Sequence, residues 1–204
     1  MGANTQVGGF VMAGGQSSRM GRDKALLEID GVSLLARAAD LLKSVVGVSI
    51  IVASPGLYRS LGLPMVADDW PGFGPLGGIA TALRVSTADW NLIIACDLPY
   101  LTKEWLEFLI GRALKSKAEA VVPMNERGAE PLCAMYHRNA EKRIHAAVEG
   151  GVRKVTDSFA SLRVEYVEPD DWKAFASDGL LFKNMNSPAD YEEAKARLSA
   201  RAKP

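Results

Sequence analysis

Cysteine is scarce. Cys96 and Cys133 are the only two in 204 residues, too few for a disulfide scaffold or for the paired cysteines of a zinc site. Each lies in an apolar run and reads as a buried free thiol. The two histidines, His137 and His145, are eight residues apart and neither pairs with a cysteine, which argues against a zinc centre. Net charge is also missing: 24 Lys and Arg balance 24 Asp and Glu, so no overall field draws the chain to nucleic acid or an anionic membrane. No apolar run approaches the about 20 residues of a membrane span, and the first residues lack the basic region and apolar core of a signal peptide. Together these absences predict a cytoplasmic protein. What is present is ordinary globular composition, 48% hydrophobic and 24% charged. A chain of this length can bury one continuous core. With no repeat, low-complexity tract or linker, it reads as a single domain over residues 1–204.

The local patterns alternate between strand and helix. Val7 to Met12 reads as a strand. Ser33 is placed to cap a helix whose apolar positions Leu34, Leu35, Ala38, Leu41, Leu42 and Val45 follow the helical period, with Gly47 as its stop. Val48 to Ala53 and Asn91 to Cys96 read as strands, with a short helix near Ile79 to Arg84 between them. Thr102 reads as the cap of the next helix. In the second half, Ala120 to Pro123, Leu132 to Tyr136, Arg163 to Val167 and Leu181 to Met185 read as strands. Helices are predicted between Ala140 and Glu149, from Val152 to Leu162, and from Pro188 to about Ala200, the last opened by Ser187 and Pro188. Such alternation predicts an α/β fold, a mostly parallel central sheet with helices on both faces.

Chemistry is concentrated in the loop after the first strand, Met12-Ala-Gly-Gly-Gln-Ser-Ser-Arg-Met-Gly-Arg-Asp-Lys24. Glycines let a backbone turn tightly and approach a ligand closely. Successive free N–H groups in such a turn form an anion site, to which Arg19 and Lys24 add full charge. A triphosphate fits that description, and the alternative is a glycine-rich connection with solvated charges. The loop is not a Walker A motif, because Gly15 and Gly21 enclose five residues and Arg22 follows. Nor is it the Gly-x-Gly-x-x-Gly fingerprint, because Gly14 and Gly15 are adjacent. Asp97 ends a predicted strand, where a lone carboxylate can recruit nucleotide-bound Mg²⁺ or simply start the Asp-Leu-Pro turn. Arg153 and Lys154 put two cations at a predicted helix start, which suits an anion or else a solvated basic turn.

The loop resembles the signature of the nucleotidyltransferases, in the form found in MobA-like molybdenum cofactor guanylyltransferases. The resemblance continues through Asp68-Asp-Trp-Pro-Gly-Phe-Gly-Pro-Leu-Gly-Gly78, Cys96-Asp-Leu-Pro99, Glu130-Pro-Leu-Cys-Ala134 and Asn184-Met-Asn-Ser-Pro-Ala-Asp190, in the family's order and over almost the whole chain. It implies a three-layer, Rossmann-like nucleotidyltransferase fold whose N-terminal half mainly binds nucleotide and whose C-terminal half mainly binds the acceptor. It implies transfer of GMP from GTP to molybdenum-loaded molybdopterin with release of pyrophosphate. Lys24, Arg19 and Asp97 would be catalytic. GTP would meet Met12, Ala13, Gly14, Gly15, Ser17, Arg19, Lys24, Asp68, Gly78 and Asp97. Mg²⁺ would sit at Asp97 with Asn186, while Arg153, Lys154, Asn184 and Asn186 are acceptor candidates, so the two asparagines are open to either task. Proteins of molybdenum cofactor biosynthesis or molybdoenzyme maturation are the implied partners. One departure is visible: the family's asparagine after the second strand corresponds to Ala53 or Ser54, which weakens the base or ribose assignment. A cytidylyltransferase, a corrinoid-phosphate guanylyltransferase and a non-catalytic nucleotide-binding module are the alternatives.

Overall fold

The structure is a computed structural model that describes residues 7–14, 23–54, 56–176 and 178–201. Its strands are β1 (Val7–Met12), the short hairpin β2 (Glu28–Ile29) and β3 (Val32–Ser33), β4 (Ile50–Ala53), β5 (Met65–Ala67), β6 (Trp90–Ala95), β7 (Ala120–Asn125), β8 (Gly128–Ala129), β9 (Cys133–His137) and β10 (Val164–Val167). The helices are α1 (Leu34–Val46), α2 (Pro75–Val85), α3 (Lys103–Ala113), α4 (Glu141–Glu149), the single turns α5 (Val155–Ser158) and α6 (Pro169–Trp172), and α7 (Pro188–Arg201). The main sheet runs β10-β7-β9-β6-β1-β4-β5, with β8 paired to β7. Pairings β6–β1, β1–β4, β4–β5 and β7–β10 are parallel, and β9 is antiparallel to both β6 and β7.

Strand side chains alternate between two cores. Val11, Ile51, Leu92, Ile94, Val121 and Met135 pack on one face with Leu35, Leu42, Trp105 and Leu109 of α1 and α3. Phe10, Met12, Val52, Ile93, Val122 and Ala134 pack on the other with Leu76, Ile79 and Leu83 of α2 and with Ile144 and Val148 of α4. Period-two strands between apolar helix stripes make a three-layer α/β fold.

Helix ends follow local chemistry. Ser33 accepts from the Ala36 amide and Gly47 closes α1 in the left-handed region, while Thr102 accepts from the Trp105 amide. One predicted element is absent and another is shortened. Leu181–Met185 is not a strand, because Leu180 N–H bonds Asp178 and Lys183 N–H turns back to Leu180. Its Met185 amide instead donates to the Asp97 carbonyl at 3.0 Å. The predicted helix over 152–162 shrinks to α5 and a 3-10 turn over Phe159–Ser161. Ser158 and Ser161 hydroxyls bond back to the Val155 and Ser158 carbonyls, competing with a longer helical ladder.

Candidate active site

The carboxyl ends of β1, β4, β5 and β6 open on one side of the sheet, where parallel α/β proteins hold ligands. A cavity of about 840 Å³ lies there. Met12, Ala13 and Gly14 lead into it from β1, Asp68 from β5, Cys96 and Asp97 from β6, and Gly74, Pro75 and Gly78 from the start of α2. Short bonds lock these strand ends together. Ala13 N–H donates to Val52, Asp68 N–H to Ala53 and Cys96 N–H to Met12. Gly14 turns at φ +108°, a conformation that disfavours any residue with a Cβ.

Lys24 heads a 3-10 turn over Lys24–Leu26. Its Nζ donates to Asn186 Oδ1 at 2.7 Å and lies 3.9 Å from Asp97 Oδ2. Three parts of the chain, 162 residues apart at the extremes, thus bring a cation, a carboxylate and an amide to one point. Burial pushes the Asp97 carboxyl above its ordinary range, while Lys24 and a backbone hydrogen bond oppose that shift. Beside it, burial and the Asp97 charge hold the Cys96 thiol protonated. The second thiol, Cys133, accepts from the Trp105 indole and is pushed up to about 12 by burial.

Asn184 Oδ1 is buried without a hydrogen-bond partner, two residues before Asn186. The Asp97 carboxylate and the Asn186 amide oxygen are donors of the kind that suits Mg²⁺. Among the described residues no three His, Cys, Asp or Glu side chains gather as a metal cage.

Asp68 is held as firmly. Its Oδ1 accepts from the Trp70 amide at 2.9 Å and from Thr81 Oγ1 at 3.1 Å, and the same hydroxyl accepts from the Asp69 amide. Thr81 is fully buried and nothing in the sequence pattern singled it out. Thr81→Val should destabilise the protein by about 1–3 kcal/mol in denaturant titration, because it leaves polar partners unsatisfied at constant shape. An unchanged midpoint would mean that the Trp70 amide holds the Asp68 carboxylate without help from Thr81.

Arg153 is placed differently from an open basic turn. Its Nη1 donates to the Gly72 carbonyl at 2.7 Å, and the guanidinium lies 4.8 Å over the Phe73 ring. It therefore ties the start of α5 to the rim of the cavity, where Trp70 also packs against Phe73 and His145. Lys154 occupies the N-cap of α5 and is exposed. Gly15, Ser17 and Arg19 lie outside the described residues. Asp23, Ser54, Leu57, Tyr58 and Leu132 also line the cavity. Asp23 and Leu132 fall in the segments that carry the family resemblance and Ser54 at its one departure, while nothing in the sequence points to Leu57 or Tyr58.

Residues 9–165 match the model of the MobA-like NTP transferase domain. The chain belongs to this family of nucleotidyltransferases. A Pelotomaculum thermopropionicum relative named "Probable molybdenum cofactor guanylyltransferase" is 34% identical over 96% of this chain and 94% of its own length. A Bacillus cytotoxicus protein of the same name is 27% identical over 92% of this chain and 95% of its own. Among solved structures, molybdopterin-guanine dinucleotide biosynthesis protein A from Archaeoglobus fulgidus superposes with a TM-score of 0.83 at 24% identity, covering 94% of this chain and 98% of that one. A CMP:2-keto-3-deoxy-manno-octonic acid synthetase complexed with CTP gives 0.72 at 13% identity over 96% and 99%. Those likenesses establish the Rossmann-like nucleotidyltransferase fold. Among the described residues no helix is long and apolar enough to cross a membrane.

Proposed function

We propose that the chain transfers GMP from GTP to molybdenum-loaded molybdopterin, releasing pyrophosphate and forming molybdopterin guanine dinucleotide. The observation that carries the reading is the meeting of Lys24, Asp97 and Asn186, with Lys24 and Asp97 lining the cavity. The names of the relatives supply the guanine and the acceptor.

An acceptor phosphate oxygen attacks the α-phosphorus of GTP, and the bond from that phosphorus to the bridging oxygen of the leaving pyrophosphate breaks. The oxygen is already ionised near neutral pH, so no protein base is required. The difficulty is bringing two anions together, since unit charges at about 4 Å repel by about 1 kcal/mol in water and several-fold more in a drier cleft. Lys24 offsets that repulsion from a fixed position, and Arg19 is assigned to the leaving pyrophosphate. Asp97 and Asn186 would hold Mg²⁺, which supplies Lewis-acid stabilisation of the phosphoryl oxygens when bound. Asp68, facing the cavity, suits the N1–H and N2–H₂ edge of guanine or the ribose hydroxyls. Lys154 and Asn184 are assigned to the acceptor. Arg153, whose Nη1 also bonds the Gly72 carbonyl, is assigned to the acceptor with them. The N-terminal half would then mainly bind nucleotide and the C-terminal half the acceptor.

Pyrophosphate release is measured with each of the four nucleotides and Mg²⁺, with and without molybdenum-loaded molybdopterin. GTP with the acceptor should be the productive pair. GTP should also raise Tm more than ATP or CTP, because a ligand of the native state stabilises it by mass action. A larger shift and faster release with CTP would reassign the chain as a cytidylyltransferase.

A further inference from the structure

Lys24 sits at the head of a turn only three residues long, and one 3-10 turn has few bonds of its own to hold it. Its geometry depends on Asp23. The Asp23 Oδ1 accepts from the Ala25 amide at 3.0 Å, and its carbonyl accepts from Leu26 at 3.1 Å. The other carboxylate oxygen accepts from the Tyr58 hydroxyl at 2.7 Å, across 35 residues of chain. Tyr58 belongs to the connection between β4 and β5, is 6% exposed, and holds φ +61°. That left-handed conformation is unfavourable for an aromatic residue, so something about the side chain's destination sustains it. The ring is buried against the same core as Ala25 and its oxygen ends on Asp23. Burial and the Asp23 carboxylate push the phenol well above its ordinary range, so the hydroxyl stays a donor.

We propose that Tyr58 is a positioning residue: through its hydrogen bond to Asp23 it sets the turn that aims Lys24 at the triphosphate. This rests on the assignment of Lys24 to phosphate. The connection between β4 and β5 and the turn that carries Lys24 are thereby linked by a phenol–carboxylate hydrogen bond as well as by core packing.

Tyr58→Phe removes that bond and keeps the ring. Affinities for GTP and for guanosine are measured by calorimetric titration with Mg²⁺ on the full chain, for wild type, Tyr58→Phe, Lys24→Ala and the double variant. Tyr58→Phe should weaken GTP binding about tenfold, the scale of one charge-assisted contact, and leave guanosine binding within about twofold. In the Lys24→Ala background Tyr58→Phe should cost nothing further, since its effect runs through that lysine. An equal loss for guanosine, or a loss that persists without Lys24, would overturn the proposal and make Tyr58 a direct nucleotide contact or a fold residue. If Lys24→Ala itself leaves GTP affinity unchanged, the phosphate assignment fails first and the proposal fails with it. That outcome is separable because it appears in the single lysine variant alone.

Discussion

Lys24→Ala is expected to lower guanylyl transfer by about 10²–10³-fold, the scale seen when one preorganised donor to a developing charge is removed. The ammonium is not a mobile surface charge. Its side chain is 19% exposed and is held by Asn186 at 2.7 Å and by Asp97 at 3.9 Å. A side chain fixed in this way needs little reorganisation when the charge on the phosphates redistributes. The variant should still fold, because the backbone of the turn bonds through Asp23 and Leu27 and uses nothing from the lysine side chain. Thermal unfolding is the control, and initial rates of pyrophosphate release are the measurement. A folded Lys24→Ala protein with near wild-type turnover would remove the lysine from the reaction.

Local chemistry carried much of the fold into the sequence, and long-range chemistry did not. Ser33, Gly47 and Thr102 mark helix ends because capping uses atoms within three or four residues, and the structure puts those ends where the residue types predict. The central strands announced themselves by apolar content, since β1 and β6 are buried on both faces. The α2 start at Pro75 came earlier than the predicted Ile79, because a Gly-Pro-rich approach reads as loop until the helix packs over Met12. Nothing local distinguishes an antiparallel strand from a parallel one, so the insertion of β9 between β6 and β7 was invisible. The same reason hides Thr81 and Tyr58. Each matters through a partner 13 or 35 residues away, and neither spacing leaves a periodic trace. Arg153 is the instructive case. Its charge and place in the sequence suit an anion or a solvated basic turn, and the structure adds a bond from one of its nitrogens to the Gly72 carbonyl and a place over the Phe73 ring. Whether a cation is open to a ligand depends on tertiary neighbours that charge patterning cannot report.

Asp97→Asn should separate stability from activity in opposite directions. Burial is the largest influence on this carboxyl and raises its pKa, with Lys24 and a backbone bond opposing. A folded-state pKa above the unfolded one means that the charged form burdens the native protein. The burden is full above the folded pKa and is relieved as pH falls from there toward the ordinary carboxylate range. Asparagine has the same shape and no charge to desolvate, and the Asp97 carbonyl that receives the Met185 amide is unaffected. Ligand-free Asp97→Asn should therefore have a Tm no lower than wild type at neutral pH, with a flatter pH dependence just above the ordinary carboxylate range. Activity should fall about a hundredfold or more, because several kcal/mol of metal-borne charge stabilisation depends on the lost carboxylate. Raising Mg²⁺ should restore part of it if weakened metal affinity is the defect. Two measurements decide the matter: differential scanning of the ligand-free protein across pH, and pyrophosphate release across a Mg²⁺ series. A variant that melts well below wild type would mark Asp97 as part of the fold. One whose rate and Mg²⁺ dependence match wild type would place the metal elsewhere and leave Asp97 a turn residue after β6.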